Sequence, residues 1–311
     1  MLPEIVGQLG DRALLLEADL GMGGDVVGQR EELFVHQLLR PGDHLVAPKP
    51  NFNACLKVFV LNTQIESNFF DAFESKYGDY DVLGEMAYRR LLNRFEKEIK
   101  PGAGERCIDL GCGTGAFTRR LLAFHLQLTG IDISSRCIGL AKQKAVSETY
   151  AVGDLTNLDF ETQSADIVVY SGVLHHISQR GERLRALQEG FRILKPNGRL
   201  FAYDPNKASP SMWLYRSPQS PFYSQVGKTE NEVLLSRRET LEELSSSGFT
   251  NINVGGLSGI TFRFVESKTA RAILPLYNAY EVLMMLTPFQ RRLGTFLISS
   301  ASKSRISSGR P

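Results

Sequence analysis

Long uncharged runs are missing from this 311-residue chain: no stretch reaches the ~18 apolar residues that a helical membrane span requires. The N-terminus also lacks a basic segment followed by an apolar run, so neither export nor a transmembrane anchor is expected. Cysteine is scarce. Cys55, Cys107, Cys112 and Cys137 show neither paired metal spacing nor a secreted disulfide pattern, so they read as reduced, mostly buried thiols in a cytoplasmic protein, and no metal site is expected. An excess of one charge is absent too. With 36 Lys and Arg against 34 Asp and Glu, the net charge of +2 gives a nucleic acid partner no electrostatic footing.

What remains is an ordinary globular composition, 42% hydrophobic and 23% charged, and length enough for one large domain with a smaller N-terminal unit. Residues 1–66 form that extension. Gly21, Gly23 and Gly24 interrupt any helix after Leu14-Leu15-Leu16, and Pro41-Gly42-Asp43 and Pro48-Lys49-Pro50-Asn51 are turn or linker chemistry; no function is assigned to them.

The rest is arranged around Arg106 to Gly115. Cys107, Ile108 and Leu110 suit a strand covered on both faces, running into a turn where Gly111, Gly113 and Gly115 leave bare main chain. Ala116, Phe117, Leu121 and Leu122 then fall at helical spacing. Gly111, Gly113 and Ala116 fit the dinucleotide fingerprint, which leaves an NAD-dependent dehydrogenase as an alternative. Asp109 speaks against it, because a carboxylate at the strand end repels pyrophosphate and attracts a cation.

Upstream, Phe69, Phe70, Phe73, Tyr77 and Tyr80 crowd before a helix marked by Val82, Leu83, Met86, Leu91, Phe95 and Ile99 and stopped by Pro101-Gly102; the aromatics form either a lid or core. Downstream, Leu126 to Ile131 is a second strand, and Asp132 lies roughly 20 positions past Gly111, where a carboxylate accepts bonds from ribose hydroxyls. Ser134 is available to cap the next helix, leaving Asp132 free. A third strand, Thr149 to Val152, leads to Asp154, placed either for an adenine amino group or for a turn before Asn157. Ala165 to Tyr170 is a fourth strand, followed by Ser171-Gly172 and Val173-Leu174-His175-His176-Ile177. Leu184, Leu187, Phe191 and Leu194 mark a helix ended by Lys195-Pro196-Asn197-Gly198, and Arg199 to Tyr203 is a fifth strand.

Asp109-Leu110-Gly111-Cys112-Gly113-Thr114-Gly115, Gly130-Ile131-Asp132-Ile133-Ser134, Gly153-Asp154, Val173-Leu174-His175-His176-Ile177 and Leu194-Lys195-Pro196-Asn197-Gly198, in this order, resemble class I S-adenosylmethionine-dependent methyltransferases of the group that modifies small molecules, quinones and lipids. Asn197 stands where that group usually has Gly, and Phe70-Asp71 to Tyr77 matches its N-terminal aromatic motif loosely. The resemblance covers 67–300. It implies a Rossmann-like, seven-stranded, mostly parallel sheet with helices on both faces and an antiparallel last strand, and S-adenosyl-L-methionine as cofactor. Asp109, Gly111, Cys112, Gly113 and Gly115 would hold the methionine end, Asp132 with Ile133 the ribose, and Asp154 with Leu155 the adenine. Ser171 and Tyr77 complete the set.

After the fifth strand, residues 205–235 carry Pro205, Pro210, Pro218 and Pro221 among Trp213, Tyr215, Phe222 and Tyr223, a substrate cap over the strand ends. Ser236 and Glu239 form a capping box. Phe249 to Val254 is the sixth strand and Gly294 to Ser300 the seventh. Between them, 256–290 hold an apolar insertion interrupted by Pro275, Asn278 and Glu281. Followed by Arg291 and Arg292, its 270–292 portion either packs on the sheet flank or covers an apolar substrate and touches a membrane surface. Residues 301–311 are expected to be disordered. His175 and His176 are the general-base candidates, with Asp204 ranking behind; a purely structural pair is the other reading. The expectation is methyl transfer to a small, apolar or lipid-like acceptor, with O-methylation favoured, and a non-catalytic cofactor-binding scaffold as the alternative.

Overall fold

β-Strands buried on both faces need apolar side chains at successive positions, and that pattern recurs through the chain. The computed structural model describes residues 68–69, 71–72, 81–217, 219–220, 223, 229, 232–263, 265 and 268–304. All lie in Cys55–Pro311, the second of two units into which the chain divides after Ala54. The readings of residues 1–66, of Phe70, Phe73, Tyr77 and Tyr80, and of 305–311 fall outside the described residues.

Seven strands form one sheet in the order β3-β2-β1-β4-β5-β7-β6. They are β1 (Arg106–Leu110), β2 (Gln127–Asp132), β3 (Thr149–Val152), β4 (Ala165–Ser171), β5 (Leu194–Pro205), β6 (Thr250–Leu257) and β7 (Phe296–Ser302). β1 pairs in parallel with β2 and β4, β2 with β3, and β4 with β5, whereas β7 runs antiparallel to both β5 and β6. The strand order reverses direction between β1 and β4, and the carboxyl ends beside that reversal open a crevice.

Helix α1 (Glu85–Ile99) precedes β1 and turns Ala87, Leu91, Phe95 and Ile99 inward. Lys100 ends it with a left-handed φ of 50°, ahead of Pro101-Gly102. On this face Phe95 meets Phe201 edge-on at 5.4 Å and Phe124 at a tilt at 5.3 Å, and Phe117 meets Tyr203 at 5.1 Å. Full burial of a ring such as Phe95 contributes roughly 1.5–3 kcal/mol. The opposite layer packs Ile108, Leu110 and Tyr170 against α4 (Arg180–Ile193) through Ala186, Leu187 and Ile193. Between these lie α2 (Ala116–Leu121) and α3 (Ser135–Gln143); α5 (Pro210–Arg216), α6 (Arg237–Ser246), α7 (Lys268–Met285) and α8 (Gln290–Leu293) follow. The capping box of α6 is present: Ser236 Oγ accepts from Glu239 N, and Glu239 accepts from Ser236 N.

Four expectations are corrected. The turn at Lys195 to Gly198 is part of β5, because Asn197, at φ 64°, donates its amide to Lys303 O at 2.8 Å while Lys303 N reaches Gly198 O at 2.9 Å. The last strand begins at Phe296 rather than Gly294 and runs to Ser302. Pro275, Asn278 and Glu281 do not interrupt α7; Asn278 and Glu281 turn inward and find backbone partners. Residues 301–304 are not a loose tail. Lys303 is buried, and its Nζ donates to Phe191 O at 2.7 Å and Leu194 O at 2.8 Å, closing carbonyls at the end of α4. No described helix is long and apolar enough to cross a membrane.

Removing that ammonium leaves two buried carbonyls without their donor. Lys303→Ala is expected to lower stability by about 1–3 kcal/mol, read as a shift of the urea unfolding midpoint at constant m-value.

Candidate active site

The turn after β1 is shaped by where a side chain would not fit. Gly111 (φ 74°), Gly113 (φ 53°) and Gly115 (φ 75°) all lie in the left-handed region. A Cβ on Gly111 would stand 2.3 Å from Val173 Cβ, and one on Gly115 would stand 2.3 Å from the Tyr150 hydroxyl. Gly113 differs: nothing lies within 4 Å of the position its Cβ would take, so its face opens on free space. The turn is tied to β2, since Gly111 N and Cys112 N both donate to Ile131 O, at 2.8 and 3.0 Å. Cys112 points its thiol away from the crevice into a small core with Ile138, Ala141 and Tyr150, so only its backbone can meet a ligand.

Asp109 and Ser171, read separately from the sequence, meet across the β1–β4 reversal. Ser171 Oγ donates to Asp109 Oδ1 at 2.5 Å and Thr118 Oγ1 to Oδ2 at 2.6 Å. Asp109 is wholly buried, so it sits beneath the turn, with both carboxylate oxygens held by hydroxyls. Burial pushes its carboxyl up to about 7, against the two hydroxyl donors that pull it down.

Asp132 is half-buried at the end of β2, with Ile133 half-buried beside it. Ser134 does cap α3, accepting from Cys137 N at 3.0 Å, yet Asp132 is not left free. Its Oδ2 accepts from Gly113 N at 2.8 Å and its Oδ1 from Ser134 N at 3.0 Å. These bonds aim the carboxylate along the turn and leave lone pairs for further donors. Burial raises its pKa, with both backbone donors opposing. Asp154 follows β3 on the same edge, but its Oδ1 already accepts from Thr156 N and Thr156 Oγ1, both at 2.8 Å: it builds the turn that the sequence offered as one of its two readings. Leu155 is buried in the core with Ile131 and Leu158, which leaves only its main chain for a ligand.

The histidines lie on the far side of the reversal, in a 3-10 turn at Leu174–His176. His175 Nδ1 lies 2.9 Å from Asp204 Oδ1, the His175 amide donates to the same oxygen at 3.1 Å, and the His175 and His176 rings lie tilted against each other with centroids 4.0 Å apart. Burial, and then His176, holds the buried His175 well below its usual value, so it is neutral at pH 7. Burial raises Asp204 to about 7. His176 Nδ1 is 3.4 Å from Thr229 Oγ1.

Glu232 joins this pair, and nothing in the sequence announced it. Ligating atoms of His175, His176 and Glu232 lie within 4.8 Å of one another, a cluster able to face a cation. Glu232 is already ion-paired with Arg216, which competes for that role. Glu232 and Arg216 come from the stretch expected as a cap, and Val233 N donates to His175 O at 2.8 Å, bringing that stretch back over the histidines.

These features define a Rossmann-like α/β domain with a carboxylate-lined crevice at its strand-order reversal. Comparison with known proteins agrees. Residues 108–202 match a family described as a methyltransferase domain. The chain is 32% identical over 179 residues to a probable tRNA methyltransferase 9B of Bos taurus, covering 57% of this chain and 35% of that one. It is 32% identical over 140 residues to the demethylmenaquinone methyltransferase of Thermotoga maritima, covering 42% of this chain and 57% of that one. A solved S-adenosylmethionine-dependent methyltransferase from Archaeoglobus fulgidus shares the fold at a TM-score of 0.52 and 17% identity, over 76% of this chain and 100% of that one. The chain thus matches a methyltransferase domain over residues 108–202 and shares the fold of a solved S-adenosylmethionine-dependent methyltransferase. It spans about a third of the length of the tRNA methyltransferase relative and little over half of the quinone one.

Asp109 and Asp204 keep their protons in the folded state up to about pH 7 and lose them near the ordinary value of 3.8 when unfolded. The folded chain therefore holds more protons between those limits, and stability falls as pH rises from about 4 to 7, by at most about 1.4 kcal/mol per pH unit for each group. Asp109→Asn is expected to flatten that slope, measured by urea unfolding across the range.

Proposed function

We propose that the chain transfers a methyl group from S-adenosyl-L-methionine to a small, apolar acceptor, with an oxygen as the favoured site. The observation that carries this reading is the pairing of an open glycine, Gly113, with the carboxylate of Asp132 that its amide holds, above a second carboxylate at Asp109. The free face of Gly113 fits a nucleoside seated against main chain, and two acids favour a ligand carrying ammonium and sulfonium charge over one carrying pyrophosphate. When bound, this cofactor supplies an electrophilic methyl group, so the protein's part is positioning and proton handling.

In that mechanism Asp132 keeps its backbone donors and accepts from the ribose hydroxyls, while Gly111, Gly113 and Gly115 let the chain approach the methionine end and Asp109 contributes charge from beneath. Ser171 fixes Asp109 rather than the cofactor. Asp154 and the main chain of Leu155 bound the adenine end. On the acceptor side, Asp204 accepts the Nδ1 proton of His175 and leaves Nε2 with a lone pair to take the acceptor's proton. His176 orients beside it. Similarity to a demethylmenaquinone methyltransferase supports an aromatic, quinone-like acceptor over the tRNA of the other relative, since the chain's charge is nearly balanced.

Release of S-adenosylhomocysteine is expected with phenols, reduced quinones or lipid alcohols and not with tRNA; turnover on tRNA alone reverses the acceptor class, and cofactor binding without any turnover supports a scaffold instead. Asp132→Ala is expected to weaken cofactor binding in calorimetry at least tenfold with the unfolding transition retained. Because a bound cation favours ionised Asp109, wild-type affinity should rise several-fold from pH 6 to pH 8, and Asp109→Asn should abolish that rise. His175→Gln should lower kcat by about 10²–10⁴ and remove the acidic limb of its pH profile.

A further inference from the structure

Helices at the surface of a globular fold turn an apolar stripe inward and charge outward. α7 and the turn after it reverse this. From Ala272 to Phe289 the one charged residue is Glu281, and it is fully buried, accepting from Gly259 N at 3.0 Å, Ile260 N at 3.1 Å and the Thr295 hydroxyl. The outward positions are Ala272, Leu276, Ala279, Leu283 and Leu286, and they recur every three or four residues along one face. Leu276 is 74% exposed, Leu283 65%, Leu286 75% and the following Phe289 64%. Exposed cations bracket the face, Lys268 and Arg271 before it and Arg291 and Arg292 after it.

A second feature adjoins it independently. A cleft of ≈ 260 Å³ between α1 and the end of β6 is lined by Arg90, Arg94, Lys97 and Arg291, with Asn93 and Gln290, and no carboxylate lines it. Arg90, Arg94 and Lys97 share one face of α1 at helical spacing. Arg94 pairs with Glu98 at 3.1 Å, yet its Nε is buried without a hydrogen-bond partner. Arg90 Nη2 donates to Gln290 Oε1 at 2.9 Å and Gln290 Nε2 to Met285 O at 2.7 Å, so the cleft is continuous with the end of α7. Burial, and then the neighbouring Arg94, lowers the pKa of Arg90.

We propose that this surface docks the protein on an anionic bilayer, with the leucines of α7 and Phe289 entering the interface and a lipid phosphate seated in the cleft of Arg90, Arg94, Lys97 and Arg291. Charge complementarity selects the occupant: an apolar face bracketed at both ends by exposed cations matches acyl chains beneath anionic headgroups. The inference is separate from methyl transfer and concerns a contact along the surface, not a span.

The full chain is tested by co-sedimentation with vesicles of phosphatidylcholine alone and of phosphatidylcholine mixed with phosphatidylglycerol. Binding is expected to the mixed vesicles, weakening as salt rises. Arg94→Gln and Arg291→Gln should each weaken it about fivefold, and Leu283→Glu with Leu286→Glu should abolish it, while cofactor affinity and thermal midpoint stay at wild-type values. Leu283→Ser serves as the milder apolar variant if the double change unfolds. Failure of the wild type to sediment with mixed vesicles overturns the proposal. So does vesicle binding that survives the leucine changes, or a dimer in solution that those changes convert to monomer while vesicle binding is absent.

Discussion

A carboxylate that water does not reach sets the geometry of the crevice. Asp109 lies on the same face of β1 as Cys107, in the apolar layer with Ile167, Val169 and Phe201, where an unbonded charge would be prohibitively costly. Two hydroxyls make it tolerable, and they come from separate elements: Thr118 in α2 and Ser171 at the end of β4. The same bonds therefore join three pieces of backbone around the strand-order reversal. With β1, α2 and β4 pinned to one another, the glycine turn has little freedom in its path, and Val173 presses on Gly111 from above. The turn's amides then face β2, where Ile131 O and the Asp132 carboxylate receive them. A crevice held this way is shaped before any ligand arrives, which is what a positioning catalyst needs.

Much of this arrangement is local in the chain and was legible there. Strand and helix follow hydrophobic periods, the three left-handed positions of the turn after β1 are glycines, and Ser236 with Glu239 announces a helix start within four residues. What escaped was pairing over distance. Thr118 is an ordinary helical residue until the fold sets it beside Asp109, and Lys303 resembles tail chemistry until β7 delivers it to the end of α4. Glu281 looked like an interruption of an apolar run because charge and burial are ordinarily exclusive; three donors on neighbouring loops remove that exclusion. Asp154 shows the reverse difficulty. Its position suits both a ligand and a turn, and only coordinates reveal that Thr156 occupies one oxygen.

The histidine side of the strand-order reversal obeys a different electrostatic logic from the glycine-turn side. At the glycine turn the acids stand under main-chain and hydroxyl donors, with no cation bonded to them among the described residues. Around the histidines, Asp204 bonds His175 twice, and Glu232 is balanced by Arg216. Burial keeps His175 neutral while a carboxylate fixes its orientation, the combination that makes an imidazole a base rather than an acid at neutral pH. One strand end separates the two regions, so both stand within a single sheet edge.

That edge also receives α7. Gly259 and Ile260 follow β6 and Thr295 precedes β7, and Glu281 binds all three, so the helix is fastened where the parallel strands finish. Burial raises the Glu281 carboxyl, and its three donors oppose that rise. A helix anchored through polar bonds does not need its apolar side chains for attachment, and those residues are left facing outward. An apolar stripe retained on a surface where packing does not require it has to be explained by what it meets there. The cations at both of its ends and in the adjoining cleft narrow that to a partner that is greasy beneath and negative above.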